Sequence, residues 1–411
     1  MRILVVAAAR PNFMKVAPVM RALERRGVEV VLVHTGQHHD ERMSDAFFDD
    51  LDIRPPDHRL HCGGGSHAVQ TAAVMTAFEP LLEEIDPYCV VVCGDVNSTL
   101  ACTLVAAKAG VPVAHVESGL RSRDRSMPEE INRIAVDHLS DWLLTPSEDA
   151  DDNLCNEGLD GSRIWRVGNV MVDTLLHSLD RSADSDVLER LGVPHGGHVL
   201  WTMHRPSNVD DHEVLAGLVR TALTISLERT VVFPVHPRTG MHLEATGLMR
   251  ELEAAPGIVL APALGYLDFL RLQATASVVL TDSGGVQEET TVLGVPCLTL
   301  RHSTERPVTV THGTNTVVGT DPDVILAAFR AVDPTVEARR PEGWDGMAAE
   351  RIAAVLTTIA PPLAIERTGA APVPVQLDRR VAEPALLRQH RRRAQVQVEA
   401  AEQGSALDAA V

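Results

Sequence analysis

The stretch SVVLTDSGGVQEETTVLGVPCLTL, residues 277–300, decides the fold. Its ends, SVVL (277–280) and VPCLTL (295–300), are continuous apolar runs of the kind that form strands buried on both faces. The residues between them read as a turn and a helix, which makes a strand–helix–strand unit with parallel strands. Gly284 and Gly285 stand at the head of that helix, although a glycine costs a helix about 1 kcal/mol against alanine. A helix start with bare backbone N–H groups suits an anion, and Ser283 in front of it is a capping residue.

The same alternation extends in both directions. Upstream in this half, the strand-like runs are HVLWTMH (198–204), TVVFPVH (230–236) and GIVLAPA (257–263), and downstream lies NTVVGTD (315–321), with helical patterns between them. The first half repeats the theme: RILVVAAA (2–9) before a helix over 13–26, VEVVLVHTG (28–36), a helix over 66–85, CVVVCGD (89–95), VPVAHVES (111–118), WLLTPS (142–147) and IWRVGN (164–169). Continuous apolar strands alternating with helices predict an α/β protein of two doubly wound, Rossmann-like domains facing a cleft. We expect a first domain over 1–177 carrying acidic residues and a second over 178–360 carrying the anion site. The helix at 344–359 is free to pack back on the first domain. The tail, 361–411, turns to Pro, Ala, Arg and Gln and is expected to be weakly ordered.

Composition narrows the function classes. The formal net charge of −19 argues against nucleic-acid binding. No apolar run approaches the roughly 20 residues that span a bilayer, and the N-terminal apolar run reads as a first strand, not a signal peptide. The six cysteines form no CxxC pair, which fits a reduced, cytoplasmic protein. No His/Cys spacing suggests a metal site.

Chemistry-bearing residues gather just after strands, where ligands of such sheets bind. After the first come Arg10 and Lys15, the latter one of only two lysines in the chain. Basic side chains are poor company for a helix N-terminus, and an anion between them resolves the conflict. No strand-to-helix turn carries GxGxxG, so NAD chemistry is not expected, and GxxxxGK[ST] is absent too. Asp95 and Glu117 each end an apolar run, and Glu129 and Glu130 open the helix PEEINR. Acids at the ends of buried strands are expensive without a partner and suit acid–base chemistry. His204-Arg205 and His236-Pro237-Arg238 follow two strands of the second half. Glu289 lies about one and a half turns beyond Ser283, far enough from a phosphate to accept sugar hydroxyls. A nucleoside diphosphate fits this pattern; a plain capped helix fits the SGG motif as well.

Taken in order, ARPNFMK (9–15), HTGQH (34–38), GSHAVQT (65–71), GDVNST (94–99), HVESGLRSRDRSMPEEINR (115–133), HRPSNVDD (204–211), PVHPR (234–238), TDSGGVQEE (281–289) and TERP with GTN (304–315) resemble the UDP-N-acetylglucosamine 2-epimerase family, of the non-hydrolysing kind. That family resembles GT-B glycosyltransferases in architecture and works without a cofactor, as a homodimer. The resemblance implies that Arg10, Ser283, Gly284 and Gly285 hold the diphosphate and Glu289 the ribose. Lys15, Arg133 and Phe269 complete the UDP-sugar site, and Asp95, Glu117, Glu130 and His204 act on the sugar. Gln37, His38, Gln70 and His236 match positions that hold a second, activating substrate molecule in bacterial members. Ser207, Val69 and Val308 stand where members commonly have Glu.

The chemistry implied is proton removal at a sugar C2 that is not acidic. Expelling UDP from C1 while a base takes the C2 proton gives a 1,2-unsaturated sugar, and re-addition inverts C2. The expected reaction interconverts UDP-GlcNAc and UDP-ManNAc. UDP-glucose as substrate, or a hydrolysing epimerase releasing UDP and free sugar, are the alternatives. A GT-B glycosyltransferase has less need of three carboxylates, and a nucleotide-sugar sensor has no need of them.

Overall fold

The computed structural model describes residues 1–8, 10–36, 50–193, 197–333 and 340–361, the side chains of Arg10 and Pro11 excepted. Its apolar runs form two sheets in which every pairing is parallel. The first contains β1 (Arg2–Ala7), β2 (Glu29–His34), β3 (His58–Arg59), β4 (Cys89–Cys93), β5 (Val113–Val116), β6 (Trp142–Thr145) and β7 (Ile164–Arg166). Their spatial order is β3-β2-β1-β4-β5-β6-β7. The second contains β8 (Val199–Thr202), β9 (Val231–Pro234), β10 (Ile258–Ala261), β11 (Val278–Thr281), β12 (Cys297–Thr299) and β13 (Asn315–Val317), in the order β10-β9-β8-β11-β12-β13. Both are doubly wound. The winding reverses between β1 and β4 in one sheet and between β8 and β11 in the other, and such switch points open a crevice at the strands' carboxyl ends.

The strands are fully buried where the sequence is uninterrupted Val and Cys, as in β4, and also in β11, which closes on a buried Thr281. They stop short of the polar residues that close the apolar runs: Asp95, Glu117 and His204 lie just beyond a strand end, as does Asp282 after β11. That placement sets them at the carboxyl ends of the strands and not within the sheets. β3 has no apolar run to announce it. It is a two-residue edge strand, paired as Val33 with His58 and His34 with Arg59.

The helix Arg10–Arg25 starts earlier than its apolar period suggests, with Pro11 in the first turn, where its missing N–H costs nothing. The helix Val170–Ala183, capped by the Asn169 side chain, joins the two sheets. It packs on the helix Arg10–Arg25 and also on the helices Tyr266–Thr275 and Gly284–Leu293 of the second half. One core cluster therefore runs from β1 and β4 through Leu175 to Tyr266, Leu270 and Val292.

The helix Ala348–Thr358 returns to this same cluster. Asp173 accepts the N–H groups of Ala348 and Ala349 at 3.1 and 2.8 Å, so its carboxylate caps a helix about 175 residues away in sequence. Trp344, fully buried, donates its indole N–H to the Pro146 carbonyl at 3.0 Å. Residues 362–411, where the tail was expected, lie outside the described residues. Among the described residues no helix is long and apolar enough to cross a membrane.

Candidate active site

At the first switch point two tight turns present acids. Gly94, at φ +69°, lets β4 turn into Asp95; a Cβ there would lie 2.9 Å from Lys15 Nζ. Glu117 itself adopts φ +72°, a left-handed conformation uncommon for a residue with a Cβ. Its peptide N–H and that of Ser118 both reach the Leu144 carbonyl, at 3.0 and 3.3 Å.

Five of the expected residues meet here in one ionic network. The Glu117 carboxylate pairs with Lys15, and both groups are buried. Arg133 bridges Asp95, at 2.5 Å, and Glu130, at 3.0 Å. Glu130 also accepts the backbone N–H groups of Ser122 and Arg123 at 2.8 and 2.9 Å and the Ser122 hydroxyl at 3.0 Å. Burial opposes ionisation of Glu130, but those donors and Arg133 hold its carboxyl below the usual range. Burial acts on Asp95 in the same way and is outweighed by Arg133, Lys15 and Arg306, so this acid too is held low. Lys15 is kept protonated against its burial by Glu117 and Asp95.

The second switch point offers donors. Ser283 is the N-cap residue of the helix Gly284–Leu293, as expected, but its side chain makes no capping bond. With no acid in the first turn, the helix start presents bare N–H groups to the cleft. His204 stands beside it. Asp282 accepts His204 Nδ1 at 3.0 Å, the N–H groups of His204 and Arg205 at 2.9 Å each, and Asn208 Nδ2 at 3.1 Å. His236 lies with its ring centroid 5.5 Å from that of His204.

Arg306 joins the two walls. Its guanidinium reaches Glu117 at 2.8 Å, Glu288 at 2.7 Å and Glu305 at 2.6 Å. A Cβ on Gly284 would collide with this guanidinium and lie 2.9 Å from Glu305 Oε1. Burial disfavours the charge on Arg306, but Glu288, Glu305 and Glu117 more than offset it. Glu305 is pulled well below the carboxylate range, despite its burial, by Arg306 and Arg301. Glu288 is pushed up by burial. The sequence alone assigns no role to Arg306, Glu305, Glu288 or Asp282. Signals were present in the TERP stretch and in the second glutamate beside Glu289, but charge pairing across 189 residues leaves no local pattern.

The remaining expected residues are spread around this centre. Glu289 is buried and turned from the helix start toward Tyr266, whose hydroxyl donates to it at 3.1 Å. Burial pushes its carboxyl up to about 7. Phe269 is half-buried on the same helix as Tyr266, against the second core. Gln70 accepts from Asn97 at 2.7 Å, next to the Asp95 turn. Gln37, His38 and the Arg10 side chain fall outside the described residues.

A cleft with carboxylates and a lysine on one wall, and bare helix N–H groups, histidines and an arginine on the other, can hold a diphosphate beside a group that loses or gains protons. Known proteins are similar to this chain in sequence and fold over most of the described region. The model of the family described as UDP-N-acetylglucosamine 2-epimerase matches residues 21–357. A UDP-N-acetylglucosamine 2-epimerase homolog of Methanococcus maripaludis is 40% identical over 361 residues, covering 87% of this chain and 100% of its own. The UDP-2,3-diacetamido-2,3-dideoxy-D-glucuronate 2-epimerase of Pseudomonas aeruginosa is 40% identical over 364 residues, with the same coverage of both chains. The crystal structure of Methanocaldococcus jannaschii UDP-GlcNAc 2-epimerase, in complex with UDP-GlcNAc and UDP, superposes with a TM-score of 0.80 at 38% identity, covering 87% of this chain and 99% of that one. By sequence, by fold and by near-complete mutual coverage, the chain belongs to the UDP-N-acetylglucosamine 2-epimerase family.

Proposed function

We propose that the protein interconverts UDP-GlcNAc and UDP-ManNAc by eliminating UDP across C1–C2 and adding it back. One observation carries the reading: Asp95, Glu117 and Glu130 converge with Lys15, Arg133 and Arg306 opposite the bare helix start at Ser283. In the first half-reaction a carboxylate takes the C2 proton. The C–H electron pair becomes the C1–C2 double bond, and the C1–oxygen bond breaks with its pair going to UDP. The helix N–H groups and Arg306 stabilise the departing diphosphate, a preorganised contribution of several kcal/mol. In the second half-reaction the diphosphate oxygen returns to C1 while an acid on the other face protonates C2. A base in place contributes about 10²–10⁴ in rate. Arg306, shared between Glu117 and the helix start, fits a group that changes partner when the diphosphate arrives.

We place the enzyme in the cytoplasm as a homodimer. Val69 and Ile131, 60% and 49% exposed on two helices that both pack on the helix Asn97–Lys108, are apolar side chains that such a contact would cover. Sedimentation should give a dimer, and Val69→Glu with Ile131→Glu should give monomers. The 40% identity to the Pseudomonas epimerase supports a second reading, in which the sugar carries further groups at C3 and C6.

The test is incubation with UDP-GlcNAc in D₂O, with the diacetamido-glucuronate nucleotide and UDP-glucose in parallel. The proposal expects UDP-ManNAc with deuterium at C2 and little at C3 or C4. Full retention of the C2 hydrogen would sink elimination. Stoichiometric UDP with free sugar would assign a hydrolysing epimerase, and turnover of the uronate alone would assign the second reading.

A further inference from the structure

Beneath the acids lies a buried polar cluster that no step above uses. His115, the third residue of β5, and Asp137, on the helix Pro128–Leu139, are both fully buried. His115 Nδ1 meets Asp137 Oδ1 at 2.6 Å, and its Nε2 meets the Gly94 carbonyl at 2.8 Å. A carbonyl oxygen only accepts, so Nε2 donates to Gly94. Asp137 is held below the usual carboxylate range, against the effect of its burial, by His115 and Arg121. Its second oxygen accepts the Gly119 N–H at 3.1 Å and pairs with Arg121 at 2.7 Å.

We propose that His115 and Asp137 are positioning residues that set the mutual placement of the three acids. The geometry is a three-way tie. Through His115, Asp137 grips the carbonyl of Gly94, the residue before Asp95. Through Gly119, it grips the turn in which Glu117, a residue with a Cβ, is left-handed. On its own helix it stands seven residues, about two turns, from Glu130 and so on the same side of the helix. Three acids on three separate elements thus share one buried anchor. Glu117 at φ +72° is the member that most needs it, because a conformation that sterics disfavour persists only where surrounding bonds over-determine it. Proton removal from C2 is sensitive to the placement of its base, and a misplacement of about 1 Å can cost about 10²-fold in rate. A purely structural role would use these groups to stabilise the first sheet and nothing more. That alternative leaves unexplained why both partners bond to the two turns that carry the acids.

The inference rests on Asp95, Glu117 and Glu130 acting on the sugar. Its experiment measures kcat, KM for UDP-GlcNAc, calorimetric UDP affinity and melting temperature for four variants. His115→Gln keeps a donor to Gly94 and loses the Asp137 bond; His115→Asn does the reverse. Asp137→Asn weakens the whole tie. Asp141→Asn is the control: its carboxylate accepts the Val113 N–H at 2.9 Å, at the opposite end of the same strand. We expect both His115 variants and Asp137→Asn to lose at least about tenfold in kcat per UDP-binding site, with KM and UDP affinity within about threefold of wild type. Asp141→Asn should lower the melting temperature and leave kcat alone. If kcat in the His115 variants falls no further than in Asp141→Asn, the positioning role is overturned. Should Asp137→Asn fail to fold, the two His115 variants decide. Retained turnover in Asp95→Asn and Glu117→Gln would instead overturn the catalytic assignment itself, so the two failures are distinguishable.

Discussion

Asp95 and Asp282 occupy equivalent places in the two sheets. Each follows the strand on the far side of a switch point, β4 in one and β11 in the other, yet their surroundings give them opposite tasks. The Asp95 side chain keeps 26% of its surface exposed and leans on Arg133; that of Asp282 is fully buried and saturated by donors from His204, Arg205 and Asn208. One acid faces the cleft, and the other is consumed in orienting a histidine. The next strand repeats the contrast: just beyond β5 stands Glu117, and just beyond β12 stands Arg301, paired with Glu305. The topology fixes where a polar residue stands; the donors packed around it decide whether it can act.

The comparison predicts a split between chemistry and binding. Asp95→Asn and Glu117→Gln, on the acidic wall, should lose about 10²–10⁴ in kcat and still bind UDP, as read by calorimetry. Folded variants that bind no UDP would break the division between the walls. Arg306→Ala strikes a side chain that serves both walls. It leaves Glu117, Glu288 and Glu305 short of a buried counter-charge, a loss of about 3–5 kcal/mol that denaturant unfolding should detect, together with weaker UDP binding.

A smaller effect belongs to Asp173, which acts on neither wall. Asp173→Ala removes the cap on the returning helix and should cost about 1–2 kcal/mol with kcat unchanged; unequal kcat values would mean that this helix helps to set the cleft.

The smallest is a pH effect on the donor wall. It rests on the proposed contact of Glu289 with the ribose: an ionised carboxylate accepts hydroxyls more strongly than a neutral carboxyl, and burial raises this one to about 7. Affinity for UDP-GlcNAc, whose phosphates do not titrate there, should therefore rise by up to about tenfold between pH 6 and pH 8. Glu289→Gln should flatten this slope. The linkage has the opposite sign for stability. A carboxyl whose folded pKa is raised binds its proton better when folded, so stability is greatest below the ordinary glutamate range and declines as pH climbs to about 7. The Gln variant should lack that decline in a melting series.

Much of this is legible in the sequence alone, because it is written locally. The run CVVVC followed by Gly-Asp names both a buried strand and the acid beyond it, and Ser283-Gly284-Gly285 names a helix start. The contacts that make a site were not legible, since they join distant elements through geometry alone. Arg306 meets Glu117 across 189 residues, and Glu289, read as facing a ribose, turns toward Tyr266. The edge strand β3 escaped for a different reason: two polar residues paired at a sheet margin carry no periodicity.

The returning helix has a consequence for synthesis. Ala348, Ile352 and Leu356 are among the residues that close the core built on β1 and β4. On the ribosome that core stays open along one side until nearly the whole described chain has emerged, although its other members are made first. The second sheet, whose main cluster draws only on residues 199–329, has no such wait. The half made last can therefore finish first, and the nascent first half spends that interval with an apolar flank uncovered, a natural client for a chaperone.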